Sequence, residues 1–298
     1  MLVEMRHAEF AWKAIASGAF DVVHVHHAAA LPFTRFVARP TVATVHHDRA
    51  ETFARHYESY RNVAYVAISR RQRELSPRVP FRAVIHHGLA VDGYPEGSGS
   101  GGYCAFLGRL AQEKGPHFAI EAATRAGVPI RIGGEAHAGE LAYFEREVRP
   151  RLGSSLVDWL GEVGGARKLS LLSDARCLLF PVQWEEPFGL VMIESMLVGT
   201  PVIAFSQGSV PEVIDEGVTG YLVASVEEMT ERLRTIDSLD RKRCRARARE
   251  RWSAYRMARD YLEVYRRTIA PPSALKERRR GKSRCEEPGA ASCASPND

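Results

Sequence analysis

Nowhere in this chain of 298 residues does an apolar run approach the length of a membrane span. The first thirty residues, opening MLVEMRHAEFAWKAIASGAF, lack the basic start, apolar centre and small-residue cleavage site of a secretory leader. CxxC pairs are missing too. The five cysteines (Cys104, Cys177, Cys244, Cys285, Cys293) are odd in number and widely scattered, which excludes a disulfide framework and a zinc site. They read as free thiols of a reducing cytoplasm. No internal repeat is visible, so a solenoid is excluded.

What is present is an ordinary globular balance, 45% apolar and 26% charged. The length suits two domains or one large α/β domain. The net charge of +5 is concentrated in RKRCRARARER (241–251) and KERRRGKSR (276–284). One reading is a solvated helix face followed by a basic tail. The other is contact with anionic lipid headgroups, which would place the protein peripherally at the inner face of a membrane. Nucleic acid is not expected as a partner, because no aromatic residues interleave the charges of the tail as stacking platforms.

Short β-branched runs alternate with helical stretches throughout. FDVVHVHH (20–27), TVATVHH (41–47), VAYVAIS (63–69) and FRAVIHH (81–87) predict four strands, hydrophobic enough to be covered on both faces. YPEGSGSGGY (94–103) reads as a linker, with its centre at 98–102. Strands then recur at YCAFLG, PIRIGG, SLVDWLGEV, RCLLFPV, TPVIAF and TGYLV, with helices between them and one long helix over AGELAYFEREVRPRL. The expected fold class is α/β, with two doubly wound Rossmann-like domains facing a cleft. The first covers 1–97. The second, with its terminal helices, covers 103–270, and a polar, disordered tail fills 271–298.

The stretch WEEPFGLVMIESMLVGTPVIAF (184–205) places Glu186 before a Pro-Phe-Gly turn and Glu194 inside an apolar helix, where a lone carboxylate is costly to bury unpartnered. The start of that helix is an anion site, and Gly189 lets its backbone approach a ligand. Glu194, more than a turn further in, is placed to accept hydrogen bonds from ligand hydroxyls. The bland alternative has Glu194 facing solvent. In FLGRLAQEKGPHFAIEAA (106–123), Arg109 at a strand end and Lys114 before a helix entry suit a diphosphate. Alone, they could equally be two surface cations.

Taken together, EPFGLVMIE (a Glu, seven residues, a second Glu), GRLAQEKG, GTPVIAF, GSVPEVI and GVTGYLV resemble the retaining glycosyltransferases of family 4, which have the GT-B fold. The resemblance covers about 103–265. DVVHVHH, PTVATVHHD and VAISRRQR resemble the later half of that family's first domain more weakly. The resemblance implies transfer of a sugar from a nucleotide-sugar such as a UDP- or GDP-sugar, with retention of configuration and no cofactor or bound metal. It implies that Arg109 and Lys114 hold the donor diphosphate and that Glu194 binds ribose. Glu186 with Phe188, Gly189 and Leu190 would address the donor sugar, and the base would fall near residues 159–163, including Gly161 and Val163. His46 in TVHHD would face the sugar from the first domain, with His47 an adjacent alternative. It further implies attack from the leaving group's side, a donor phosphate oxygen taking the acceptor proton and neither Glu acting as nucleophile.

Seven histidines (24, 26, 27, 46, 47, 86, 87) gather at predicted strand ends without a carboxylate or Cys at ligand spacing, which argues against a metal site. Family members open with a strand, a Gly-rich loop and a long helix that residues 1–18 do not match. The expectation is therefore a first domain short of 60–90 residues, judged against ordinary domain sizes, with an uncovered sheet edge. The acceptor is left open. A nucleotide-sugar-binding protein without turnover is the alternative function.

Overall fold

The computed structural model describes residues 2–47 and 50–270. The tail segment KERRRGKSR, Cys285 and Cys293 lie outside the described residues.

Four parallel strands form the first sheet in the order β1-β2-β3-β4: Val23–Val25, Thr41–Val45, Val63–Ala67 and Phe81–Val84. Because side chains alternate across a strand, β2 serves two cores. Ala43 and Val45 pack with Trp12, Leu31 and Tyr57, from the N-terminal helix Leu2–Ser17 and the segments after β1 and β2. Val42, on the opposite face, packs with Val66, Ile85, Tyr261 and Val264.

The last two of these belong to the final helix, Ala254–Ile269. This helix, grouped with the second domain on sequence order, packs on the first sheet instead. Its apolar stripe covers the face that parallel strands cannot leave to water. Tyr261 OH and Thr44 Oγ1 lie 2.7 Å apart, and Tyr265 OH lies 2.7 Å from His24 Nδ1. The chain therefore crosses between the sheets twice. The two crossings are bonded to each other, Leu89 N to Trp252 O and Ala254 N to Leu89 O, each at 2.8 Å.

The second sheet has six parallel strands in the order β10-β9-β8-β5-β6-β7. They are β5 Cys104–Leu107, β6 Ile130–Gly133, β7 Val157–Trp159, β8 Leu178–Phe180, β9 Val202–Phe205 and β10 Gly220–Val223. From β5 the chain winds outward through β7, then returns to place β8 on the other side of β5. That reversal puts a crevice beyond the carboxyl ends of β5 and β8, where open α/β sheets bind ligands. The stretch expected as one helix over 138–152 is irregular: short 3-10, α and π turns succeed one another through Gly153. Pro150 lies in the last of these turns, where its ring and missing N–H oppose a regular continuation.

The linker is no free tether. Gly97 N donates to Val198 O, Gly99 N to Ser173 O and Gly101 N to Asp174 O, at 2.8–3.0 Å. Nor is the basic helix Arg241–Arg251 a solvated face. Arg241 donates to the Ser173 and Ala175 carbonyls and to Thr200 Oγ1, and Arg245 to Tyr94 O. Arg249 takes Val91 O and Asp92, while Arg247 and Arg251 converge on Asp215. These arginines staple the crossover segment 91–94 and the 210–215 region to the domain, while Lys242 and Arg243 are the exposed basic residues of the helix. Among the described residues no helix is long and apolar enough to cross a membrane.

Candidate functional site

Strand β5 ends at Leu107 and delivers Gly108-Arg109; β8 ends at Phe180 and delivers the loop leading to helix Leu190–Leu197. The two loops are tied together, Gln183 N donating to Glu113 O at 2.8 Å and Gln183 Nε2 to Gln112 O at 2.9 Å. Between them and β6 lies a cavity of about 480 Å³, whose lining includes Arg109, Val163, Lys168, Leu190 and Glu194.

One stretch of the cavity lining is glycine backbone, Gly133 and Gly134 opposite Gly108. Gly134 has φ +143°, and its N–H donates to Gly161 O at 2.7 Å. Any Cβ at Gly134 would run into the Gly108 carbonyl oxygen. Gly134→Ala should therefore cost about 2 kcal/mol or more, from combined strain and backbone clash. Urea unfolding measures it; an unchanged midpoint and slope would contradict the close approach.

Each cation of the cleft holds a carboxylate. Arg109 Nη1 donates to Glu140 at 2.6 Å and Nη2 to Glu113 at 2.7 Å. Lys114 Nζ donates to Glu186 Oε2 at 2.6 Å while lying 4.6 Å from the centroid of the Trp184 ring. Trp184 Nε1 donates to the same oxygen at 2.9 Å. Glu186 is only 7% exposed, so this pairing offsets the cost of burying its charge. Glu194, also largely buried, accepts from Lys168 Nζ at 2.6 Å and from Tyr94 OH at 3.4 Å. Its lone position in an apolar helix is thus explained by partners from outside that helix, and it does not face solvent as an unpaired charge.

Of the residues singled out in the sequence, Arg109, Val163, Leu190 and Glu194 line the cavity. Gly161 touches its rim through Gly134. Lys114 and Glu186 pair beside the loop. Phe188 is buried, and Gly189, at φ +81°, caps the helix that carries Glu194. His46 is outside the cavity. It hydrogen-bonds His26 at 2.9 Å and stacks on His87, which meets the Phe188 ring edge-on at 5.0 Å. A row of rings thus connects the first domain to the Pro-Phe-Gly turn. Sequence reading missed Lys168 and Tyr94 as partners of Glu194, and Trp184 as a partner of Glu186.

Among the described residues, no three His, Cys, Asp or Glu side chains converge as metal ligands would. The histidines are bonded among themselves and to neighbours: His24 to Tyr265 and Thr44, His47 to Tyr57, and His86 to Glu212. Burial, then the neighbouring His26 and His46, push His24 down to about 4. Burial, then the same two histidines, with Arg256 and His86, push His87 down to about 4. Both are therefore neutral in the folded protein at pH 7. As pH falls from the ordinary value of 6.5 toward 4, the unfolded chain takes up protons that the folded one refuses, and stability is lost. Melting temperature should drop across that window. The drop should flatten in His24→Gln/His87→Gln; an unaltered pH slope in that variant would contradict the assignment.

Comparisons with known proteins identify the family. The profile of the family described as Glycosyl transferases group 1 matches residues 99–254, more than half of the chain, and the chain belongs to that family. The D-inositol 3-phosphate glycosyltransferases of Mycobacterium bovis and Mycobacterium tuberculosis are 31% identical over 191 residues. That match covers 60% of this chain and 40% of theirs, so the chain spans less than half the length of these relatives. Anabaena HepE, solved with UDP and glucose, superposes with a TM-score of 0.72 at 19% identity, covering 87% of this chain and 79% of that one. The sucrose-phosphate synthase of Thermosynechococcus elongatus superposes with a TM-score of 0.73 at 17% identity, covering 88% and 77%. At such identities these two show the fold alone, the GT-B arrangement of paired Rossmann-like domains.

Proposed function

We propose that this protein is a retaining hexosyltransferase of the family 4 type, moving a sugar from a nucleoside-diphosphate sugar to a hydroxyl acceptor. The observation that carries the reading is the cavity at the β5/β8 reversal, with Arg109 at one side, Glu194 and Lys168 at another, and the Lys114–Glu186 pair beside it. The cavity lining accommodates a nucleoside: Val163 and Leu190 offer apolar surface for a base, and Glu194 offers acceptor oxygens for ribose hydroxyls. Arg109 and Lys114 would take the diphosphate, which must replace Glu113 and Glu140 as partner of Arg109.

In this reading Glu186 and the Phe188-Gly189-Leu190 backbone address the sugar, with His46 facing it from the first domain. Arg109, Lys114 and the start of helix Leu190–Leu197 stabilise the charge that develops on the departing diphosphate. A phosphate oxygen of that group receives the acceptor proton, so no residue of the chain serves as nucleophile.

The test offers UDP-glucose, GDP-mannose and ADP-glucose, each with a panel of polyol phosphates, inositol 3-phosphate included, and neutral glycosides. Release of the nucleoside diphosphate with a product anomeric proton of unchanged configuration is expected. An inverted anomeric centre would overturn retention. Absence of release with every pair would overturn the transferase reading.

A further inference from the structure

Outside the nucleotide cavity, one contiguous set of polar contacts bridges the two domains. Arg71, in the helix Arg70–Glu74 that follows β3, extends its guanidinium to Glu185 of the second domain. The contact is a fork, Nε to Oε2 at 2.9 Å and Nη2 to Oε1 at 2.7 Å. The Arg71 hydrogen bond holds the Glu185 carboxyl below the usual carboxylate range. Glu212 reaches back the other way. Its carboxylate accepts from the backbone N–H of Arg71 at 2.8 Å, the backbone N–H of Arg70 at 2.9 Å and His86 Nε2 at 2.8 Å.

Both ends of this clasp stand on fixed ground. On the first domain, buried Gln72 bonds Val45 O, His47 O and Ile68 N, so the residue after Arg71 is anchored to strand ends. On the second, Glu185 immediately precedes Glu186, whose carbonyl accepts from Ser209 N at 2.9 Å. Gly208 lies so close to the Glu185–Glu186 backbone that no Cβ fits there. The side chains of Arg71 and Glu185 are 41% and 39% exposed, and ion pairs at such exposure contribute little stability. What a bidentate fork adds at the surface is direction.

We propose that Arg71 is a positioning residue for sugar transfer. Its fork on Glu185 sets the loop that carries Glu186, and Glu212 holds the Arg71 backbone in place. The fork thus adds a first-domain constraint to a loop whose carboxylate is otherwise held by Lys114 and Trp184 of the second domain. This rests on the reading of residues 184–190 as the sugar-binding loop.

Arg71→Met in the full chain tests it with two readouts. In the ligand-free protein, hydrogen exchange of peptides over 183–189 should speed up severalfold while the melting temperature barely moves. Unchanged exchange there would overturn the clasp. In calorimetry, affinity for UDP and GDP should stay within about twofold, while the extra affinity of UDP-glucose or GDP-mannose falls about tenfold, as expected for losing orientation at one charge-assisted contact. Arg71→Lys, a point charge without the planar fork, should restore only part of that loss. Equal losses for diphosphate and sugar nucleotide would show a structural tether only and overturn the proposal. If the wild type binds none of the four, the donor reading fails, and the exchange result still decides whether Arg71 holds the loop.

Discussion

Replacing Arg109 and Lys114 together by alanine should abolish the preference of the protein for a nucleoside diphosphate over the bare nucleoside. A hydrogen bond to a charged group is worth about 1.5–3 kcal/mol, so losing two predicts a drop of roughly two to four decades in diphosphate affinity. The environment acts in the same direction. With Arg109 gone, Glu113 and Glu140 face the site uncompensated, and with Lys114 gone, Glu186 keeps only its Trp184 bond. Each leaves negative charge where phosphate must sit. Nucleoside affinity, which does not involve the cations, should change little, and this is the control for folding. A diphosphate advantage that survived in the double variant would refute the phosphate role of both residues.

Glu194→Ala should weaken diphosphate binding by roughly 1–3 kcal/mol through loss of the ribose contact. The substitution also frees Lys168, whose Nζ lies 2.6 Å from Glu194 and which lines the same cavity. A freed cation attracts phosphate, so the raw loss understates the ribose term. Comparing each nucleotide with its 2′-deoxy form separates the two effects. Wild type should lose affinity for the deoxy ligand, whereas Glu194→Ala should bind both forms alike. A full ribose preference retained in the variant would remove Glu194 from the ribose site, whatever happened to total affinity.

Much of the fold can be read from local pattern. The ten strands of the described residues lie within the runs identified in the sequence, because strands of a parallel sheet covered on both faces read as short, near-continuous apolar stretches. Two features are beyond local pattern. The 138–153 stretch has helical composition, yet it folds as successive 3-10, α and π turns with Pro150 in the last, and only the surrounding packing selects those. The spacing of Met257, Tyr261, Val264 and Tyr265 gives a helix, but nothing in it says which sheet the helix covers.

The same division holds at the site. Arg109 and Glu194 could be singled out from a strand end and an apolar helix, and Val163 and Leu190 only from the family resemblance; the four meet in one cavity. Their partners could not. Lys168 is 26 residues from Glu194 and Tyr94 is 100 away, so only the closed fold reveals that Glu194 is already satisfied. The basic run 241–251 misleads for the same reason: its guanidinium groups find carbonyls and carboxylates contributed by distant segments.

The cavity beyond β5 and β8 should bind a nucleoside diphosphate. Calorimetric titration of the purified 298-residue chain with UDP, GDP and ADP in turn tests it most directly. At least one of them should bind one-to-one, with binding lost on replacing Arg109 and Lys114. A sample that is folded by circular dichroism and takes up none of the three would contradict it.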